Sequence, residues 1–201
     1  MKNLIVVCLL SATICIATTS ETLGVVMSDF ESGNVDGWTV SPDGSVSRVG
    51  TGGNPGGYLR VDDDATGGHN WIYAPVKFLG DWSSLEGEIL SVDAKAIFGE
   101  PTTNNMHFEI SGPGGSAIHD MGQMPTYNWE TYATTLTPAN WTVSAGNWPA
   151  ILTNVTMLRI EAEYYTGDDA CAFDNIILTP EPGTLSLLAL GGLLSMRRRR
   201  A

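Results

Sequence analysis

The most regular stretch of the sequence is Met157-Leu158-Arg159-Ile160-Glu161-Ala162-Glu163-Tyr164-Tyr165, in which apolar and charged side chains alternate. Successive side chains of a β-strand point to opposite faces of its sheet. The stretch therefore predicts one strand, with Leu158, Ile160, Ala162 and Tyr164 facing a core and Arg159, Glu161, Glu163 and Tyr165 facing outward.

Other short segments show the same alternation. Ile89 to Ile97 predicts a strand whose inward residues are Leu90, Val92, Ala94 and Ala96, and Met106 to Ile110 predicts one whose inward residues are Met106, Phe108 and Ile110. Further strands are predicted at Val25 to Phe30, Trp129 to Leu136 and Cys171 to Leu178. The glycine-rich stretch Gly50 to Gly57 is predicted to be an irregular loop.

These segments predict an all-β fold, an antiparallel jelly-roll β-sandwich whose first and last strands lie side by side. Helical patterns occur only at the two ends of the chain. The predicted domains are a signal peptide at residues 1–20, the sandwich at residues 22–179 and a sorting segment at residues 180–201. An N-terminal signal helix and a short C-terminal hydrophobic helix therefore flank the sandwich.

The C-terminal segment begins with Pro180-Glu181-Pro182-Gly183, continues as the apolar run Thr184 to Met196 and ends with Arg197 to Arg200. A helix needs about 20 apolar residues to span a bilayer, and this run is shorter. The arginines would stay on the cytoplasmic side and hold the exported chain transiently at the inner membrane. An ordinary tail anchor is the alternative interpretation.

The three parts of this segment, in this order, resemble the PEP-CTERM sorting signal of bacteria that export proteins alongside exopolysaccharide. The resemblance implies that an exosortase recognises Pro180, Glu181 and Pro182 and removes the tail. The N-terminus agrees with export, because Lys2 precedes an apolar region from Leu4 to Ile16 and small residues follow it. Without both ends the chain keeps five basic and 20 acidic residues, a net charge of −15. That charge disfavours binding to nucleic acid.

A second resemblance covers about Trp38 to Leu178. The segments Tyr58-Leu59-Arg60, Trp71-Ile72-Tyr73-Ala74-Pro75, Leu158-Arg159-Ile160 and Phe173-Asp174-Asn175-Ile176 are similar, in order, to the laminin IV type A (laminin B) domain. The resemblance implies an extracellular jelly roll without catalytic residues. It also makes the aromatic residues that match the laminin pattern packing residues. The cysteine-rich repeats that surround this domain in animal laminins are missing from the sequence.

Glu31 and Asp174 resemble the structural calcium site of many carbohydrate-binding jelly rolls, where the terminal strands bring an early acid and a late Asp together. Carboxylates are the ligands that Ca²⁺ prefers. In the alternative interpretation, each residue only bounds its own strand.

The outward residues His107, Glu109, Arg159 and Glu161 form the predicted ligand-binding row, which would suit a polysaccharide. The function that we expect is an exported, non-enzymatic surface or extracellular-matrix protein, a binding or structural module associated with exopolysaccharide. The alternative is a secreted polysaccharide-active enzyme that uses Glu161 and Glu163. Their predicted spacing along one strand, about 6.5 Å, is one that glycosidase carboxylates can have.

Overall fold

The computed structural model describes residues 25–63, 69–101 and 104–179. The predicted signal segment and the predicted sorting segment, with Pro180, Glu181 and Pro182, lie outside these residues. Within the described ranges, no helix is long and apolar enough to cross a membrane.

Short strands make up most of the described chain, as the turn-rich sequence predicts. In chain order the strands are β1 Val26–Ser28, β2 Thr39–Val40, β3 Gly44–Gly53, β4 Gly56–Asp63, β5 Trp71–Tyr73, β6 Ile89–Pro101, β7 His107–Gly112, β8 Gly115–Asp120, β9 Glu130–Thr135, β10 Thr142–Gly146, β11 Met157–Glu161 and β12 Tyr165–Thr179. A short helix, α1, spans Trp148–Leu152, and two 3-10 turns span Val76–Phe78 and Ser83–Leu85.

The strands form two antiparallel sheets. Sheet A has the order β3-β4-β12-β6-β9, and β1 also pairs with β12; sheet B has the order β10-β8-β7-β11-β5-β2. Val26 lies opposite Leu178 and Met27 opposite Ile177, so the first and last strands are neighbours, as predicted. The predicted all-β antiparallel sandwich is confirmed.

The core lies between the two sheets and contains the residues that alternation predicts. Leu90, Val92, Ala94 and Ala96 of β6 are at most 2% exposed, and Met106, Phe108, Ile110, Leu158 and Ile160 are completely buried. Each fully buried Leu, Ile or Phe side chain contributes about 1.5–3 kcal/mol relative to an exposed one. The facing apolar surfaces therefore hold the sheets together.

Strand β11 ends at Glu161, so the prediction of one strand through Tyr165 is wrong. Ala162 N–H donates to Asn70 O at 2.8 Å, and the N–H groups of Tyr164 and Tyr165 donate to Asp169 Oδ2 at 3.3 and 3.1 Å. A carboxylate from the following segment thus replaces the ladder partner and turns the chain into β12. Alternation cannot anticipate a side chain that competes for backbone N–H groups.

The prediction of an irregular loop from Gly50 to Gly57 is also wrong, because these residues end β3 and begin β4. Gly52 and Gly56 have φ of +89° and +79°, a backbone region that residues other than glycine rarely adopt. At Gly53 an added Cβ would lie 2.2 Å from Gly57 O. The glycines therefore permit a tight hairpin.

We predict that Phe173→Ala, in the middle of β12, lowers the free energy of unfolding by about 3–5 kcal/mol, since Phe173 is completely buried and its truncation leaves a cavity. Urea unfolding followed by tryptophan fluorescence measures the change. Val76→Ala is the control, because Val76 is 83% exposed. Equal effects of the two substitutions would contradict the assigned core.

Candidate functional site

The outer face of sheet B brings polar and aromatic side chains into rows across three strands. Arg159 of β11 lies opposite Glu109 of β7 on one side and opposite Tyr73 of β5 on the other. Glu161 lies opposite Trp71. We call this surface, with His107, Glu109, Arg159, Glu161, Trp71 and Tyr73, the Arg159 face.

Arg159 is the centre of this surface. Its Nε donates to Glu109 Oε2 at 3.0 Å, and its guanidinium carbon lies 4.0 Å from the centroid of the Trp71 ring. Burial is the largest single influence and lowers the pKa of Arg159, but the hydrogen bond to Glu109, the charge of Glu109 and the contact with Tyr73 together outweigh it, so the net pKa is raised. The guanidinium is therefore a fixed cation, held between a carboxylate and an aromatic face.

Glu161 lies on the predicted side of sheet B, but the expectation that it faces solvent is wrong. Its side chain is completely buried. Glu161 Oε2 lies 3.1 Å from His69 Nδ1 and 3.8 Å from His107 Nδ1, and Oε1 has no hydrogen-bond partner. Glu161 therefore forms the floor of the Arg159 face beneath two imidazoles.

His107 occupies the edge of the same surface. Its Nε2 lies 3.5 Å from Asp120 Oδ2, and its side chain is 21% exposed. The hydrogen bond with Glu161 is the largest influence and raises the pKa of His107; burial opposes it and Asp120 adds to it. The protonated ring is thus favoured between two carboxylates.

Sequence analysis predicted four residues of this surface and took its aromatic residues for packing residues. Trp71 matches the laminin pattern and was expected to pack in the core, yet it is absent from the cluster of core residues and lies under Arg159 instead. The His69 ring is also close to Trp71, with 5.9 Å between the ring centroids. Neighbouring residues of a strand point to opposite faces of the sheet. Because Ile72 points into the core, Trp71 and Tyr73 must both lie on the outer face.

Glu163 does not belong to this surface. It follows the end of β11, is 4% exposed, and its Oε2 accepts a hydrogen bond from Asn70 N–H at 3.2 Å. Burial, and then the charge of Asp63, raise the pKa of Glu163. The strand geometry that the alternative enzyme requires, with Glu161 and Glu163 two residues apart on one strand face, is therefore not present.

Glu31 and Asp174 both contact the hairpin between β3 and β4. Glu31 Oε1 accepts a hydrogen bond from Gly57 N–H at 2.8 Å, and Asp174 Oδ2 accepts one from Asn54 N–H at 2.6 Å. A Cβ at Gly53 would lie 2.8 Å from Asp174 Oδ2, and one at Gly56 would lie 2.0 Å from Glu31 Oε1. Only glycines allow both carboxylates to approach the hairpin so closely.

The carboxylate oxygens around this hairpin are of the type that binds calcium. Burial is the largest influence on Asp174; the negative charges of Asp93 and Glu31 add to it, and the pKa of Asp174 rises to about 6 although two backbone N–H groups oppose the shift. Across residues 25–63, 69–101 and 104–179, no three His, Cys, Asp or Glu side chains are arranged to hold a metal ion. A calcium ion here would need backbone carbonyl oxygens beside Glu31 and Asp174.

A second aromatic group lies on the outer face of sheet A. The rings of Tyr58 and Trp129 meet edge to face with centroids 5.7 Å apart, and Lys95 Nζ lies 4.6 Å from the Trp129 centroid. Trp129 Nε1 donates to Gly52 O at 3.0 Å. This patch is the competing location for a ligand, although its own lysine covers one face of the indole.

No protein-family model and no curated protein matches the chain. Among solved structures, an exo-β-agarase matches with a TM-score of 0.59 and 16% identity over 77% of this chain and 24% of that chain. The L4b domain of human laminin alpha-2 matches with a TM-score of 0.51 and 14% identity over 59% of this chain and 77% of that one. This chain therefore corresponds to about a quarter of the agarase.

A family 11 carbohydrate-binding module from Clostridium thermocellum, in complex with a β-1,3-1,4-mixed-linked tetrasaccharide, matches with a TM-score of 0.51 and 19% identity. The match covers 78% of this chain and 96% of that one. At these identities the likeness establishes the fold alone. It confirms the jelly-roll sandwich that the laminin resemblance implied.

We predict that His107 makes stability depend on pH. Because folding raises the pKa of His107, the protonated ring stabilises the folded state below the ordinary pKa of about 6.5, and this contribution is lost as the pH rises through the raised value. His107→Gln should lower the free energy of unfolding by up to about 1 kcal/mol near pH 5.5 and much less near pH 8.5.

Urea unfolding at the two pH values measures this difference. In a Glu161→Gln background the pH-dependent part should shrink, since Glu161 is the main cause of the shift. A loss of the same size at both pH values would contradict the assigned role of His107.

Proposed function

We propose that this chain is an exported, non-enzymatic module that binds a polysaccharide on the Arg159 face. The observation that carries the proposal is the row of Glu109, Arg159 and Tyr73 across three neighbouring strands, with Trp71 beneath it. A row perpendicular to the strands presents several polar groups to an extended chain. The similar carbohydrate-binding module, whose solved structure holds a tetrasaccharide, supports this proposal.

The chemistry of the face favours a neutral sugar chain. Sugar hydroxyls both donate and accept hydrogen bonds, so carboxylate and guanidinium groups are suitable partners, and each such bond contributes about 1.5–3 kcal/mol at best. Arg159 is already paired with Glu109, and residues 22–179 carry a net charge of −15. A polyanion would therefore be repelled.

The accessible groups suggest weak binding by each copy. Arg159 and Glu109 are 25% and 19% exposed, and Tyr73 is half-buried. Shallow contacts of this kind become strong when many copies bind one polymer, because later contacts form at high effective concentration. This mode suits a component of an extracellular polysaccharide layer.

We favour a non-enzymatic role over the hydrolase alternative. Glu161 is buried beneath His69 and His107, and Glu163 does not lie on the same strand but accepts a hydrogen bond from Asn70 N–H. The match to the two agarases with a similar fold covers only 24% and 25% of their own chains. A module of this size within an enzyme is compatible with a role in binding.

The export and sorting assignments rest on the sequence. We propose that residues 1–20 direct export, that residues 180–201 hold the chain transiently in the inner membrane, and that an exosortase then removes this tail. The mature module would remain at the cell surface or in the extracellular matrix, associated with exopolysaccharide.

We predict that Arg159→Ala weakens binding to a soluble polysaccharide by about tenfold or more, the equivalent of one lost charged hydrogen bond. Affinity electrophoresis in gels with mixed-linkage β-glucan, agarose or the host exopolysaccharide measures retardation of the protein. Tyr73→Ala should weaken binding as well. The thermal melting of each variant shows whether it is folded.

Trp129→Ala is the matched control, because it removes an aromatic side chain from the other sheet. If Trp129→Ala abolishes retardation while Arg159→Ala does not, the ligand lies on sheet A. Absence of retardation for the unmodified protein in all three polymers would refute the binding function.

We predict that the mature protein lacks residues 182–201, because its apolar run is too short to anchor it stably. Mass spectrometry of the surface fraction from the native host identifies the C-terminus. Replacing Pro180, Glu181 and Pro182 by alanine should leave the tail in place. An intact arginine tail on most unmodified molecules would rule out this processing.

We also propose that calcium binds beside Glu31 and Asp174 and stabilises the fold. A ligand that binds only the folded state adds about 2.7 kcal/mol at a hundred times its dissociation constant. We therefore expect a chelator to lower the melting temperature of the unmodified protein, and Asp174→Asn to reduce that response. An identical response in Asp174→Asn would exclude Asp174 as a ligand.

A further inference from the structure

His69 is an exposed residue beside the Arg159 face that the proposed binding row does not use. It lies two residues before Trp71, the first residue of β5, and its side chain is 57% exposed. Alternate residues of an extended segment share one face, so His69 falls on the outer side of sheet B with Trp71 and Tyr73. Its ring lies 5.9 Å from the Trp71 ring, centroid to centroid, which agrees with that placement.

The carboxylate of Glu161 lies behind this imidazole. Glu161 is opposite Trp71 where β11 pairs with β5, and its Oε2 lies 3.1 Å from His69 Nδ1. An ionised carboxylate can only accept hydrogen bonds, so Nδ1 of His69 carries the proton and is the donor. The hydrogen bond at one ring nitrogen sets the state of the other, and Nε2 therefore keeps a free lone pair.

Nε2 is the part of His69 that is available to a ligand. Within residues 25–63, 69–101 and 104–179, the ring of His69 has a hydrogen-bond partner at Nδ1 only. The contact with Glu161 restricts how the ring can turn, while more than half of the side chain remains accessible. The result is a hydrogen-bond acceptor with a fixed direction at the surface of sheet B.

The carboxylate that orients His69 is costly to keep. The side chain of Glu161 is completely buried, and its Oε1 has no hydrogen-bond partner. A buried carboxylate with an unpaired oxygen carries a desolvation penalty, and an apolar residue of similar size would avoid it. Of the two imidazoles above Glu161 Oε2, that of His69 is closer, at 3.1 Å against 3.8 Å for His107. Orienting the exposed His69 ring is a task that explains the cost.

We propose that His69 contacts the bound polysaccharide and that Glu161 is its positioning residue. Glu161 fixes the tautomer and the orientation of the imidazole, and His69 Nε2 accepts a hydrogen bond from a sugar hydroxyl. This inference rests on the proposed binding function of the Arg159 face. It adds a ligand contact outside the row of Glu109, Arg159 and Tyr73.

The position and chemistry of His69 define what it selects. Glu161 lies two residues from Arg159 along β11, about 6.5 Å to one side of that row, and His69 lies above Glu161. A lone pair backed by a carboxylate requires a donor and disfavours an anionic group. His69 therefore selects a neutral sugar chain with a free hydroxyl at the side of its backbone.

Polymer binding by two histidine variants is the first test. In the affinity gels with mixed-linkage β-glucan, agarose or host exopolysaccharide, His69→Ala should weaken binding about three- to tenfold, the equivalent of one neutral hydrogen bond. His119→Ala is the matched control. It also removes an imidazole close to a tryptophan, Trp141 at 5.7 Å, but His119 Nδ1 faces the carbonyl oxygen of Asn140 and not a carboxylate.

The outcomes separate this inference from the proposed function. If the unmodified protein binds none of the three polymers, the binding function fails and the His69 contact fails with it. If Arg159→Ala weakens binding while His69→Ala binds as well as His119→Ala, the Arg159 face stands and the His69 contact is overturned.

A double-mutant cycle tests the role of Glu161. Glu161→Met removes the acceptor and keeps an unbranched side chain in a buried place. It should weaken binding about three- to tenfold in the unmodified protein, but less than about twofold when residue 69 is already alanine, because residues that act together are not additive. An equal loss in both backgrounds would mean that Glu161 does not act through His69.

Nitrogen-15 NMR of the imidazole rings needs no ligand and keeps the proposal testable if Glu161→Met does not fold. At alkaline pH, the unmodified protein should show a proton on Nδ1 of His69 and none on Nε2. Glu161→Met should lose this single tautomer, whereas His119→Ala should keep it. A proton on Nε2 of His69 in the unmodified protein would overturn the positioning role of Glu161.

Discussion

Strand β12 is the constraint on which sheet A depends, because β1, β4 and β6 all pair with it. Its inward residues, Cys171 and Phe173, are at most 1% exposed and contribute to the core. The partners come from the first third and the middle of the chain, so these pairings close long loops before they are stabilised. The core can be completed only when the last strand docks, and we expect the β12 segment to control folding.

The departures of β12 from regular pairing coincide with buried carboxylates. Its register with β6 shifts between Thr166 and Ala170, and again between Asp174 and Ile177. At the first shift Asp169 accepts the N–H groups of Tyr164 and Tyr165, and at the second Asp174 accepts those of Asn54 and Asn175. A bulge leaves backbone donors without ladder partners, and a carboxylate satisfies them, as Asp174 does for Asn175; the N–H of Asn54 belongs to the hairpin between β3 and β4. The same carboxylates then place acidic groups in buried parts of the fold.

For the Arg159 face, alternation correctly predicts which side chains share one side of the sheet, but it does not predict which of them are exposed to solvent. Alternation placed His107, Glu109, Arg159 and Glu161 on one side of sheet B, and the register confirms that placement for Arg159 and Glu109. The completely buried state of Glu161 depends on His69, which is 92 residues away in the sequence. No local pattern contains that contact. The same holds for Glu163, whose partner is Asn70.

Alternation in the sequence was enough to predict the antiparallel sandwich, its inward residues and the pairing of the terminal strands, because the two-residue period of a strand fixes which side chains share a face. Contacts between distant segments decided instead where β11 ends, that Gly50 to Gly57 form a hairpin, and that Trp71 lies under Arg159. These features arise from contacts between residues distant in sequence. Burial and hydrogen bonding at such contacts depend on how the two sheets pack together. The alternation of residues along one strand carries no information about that packing.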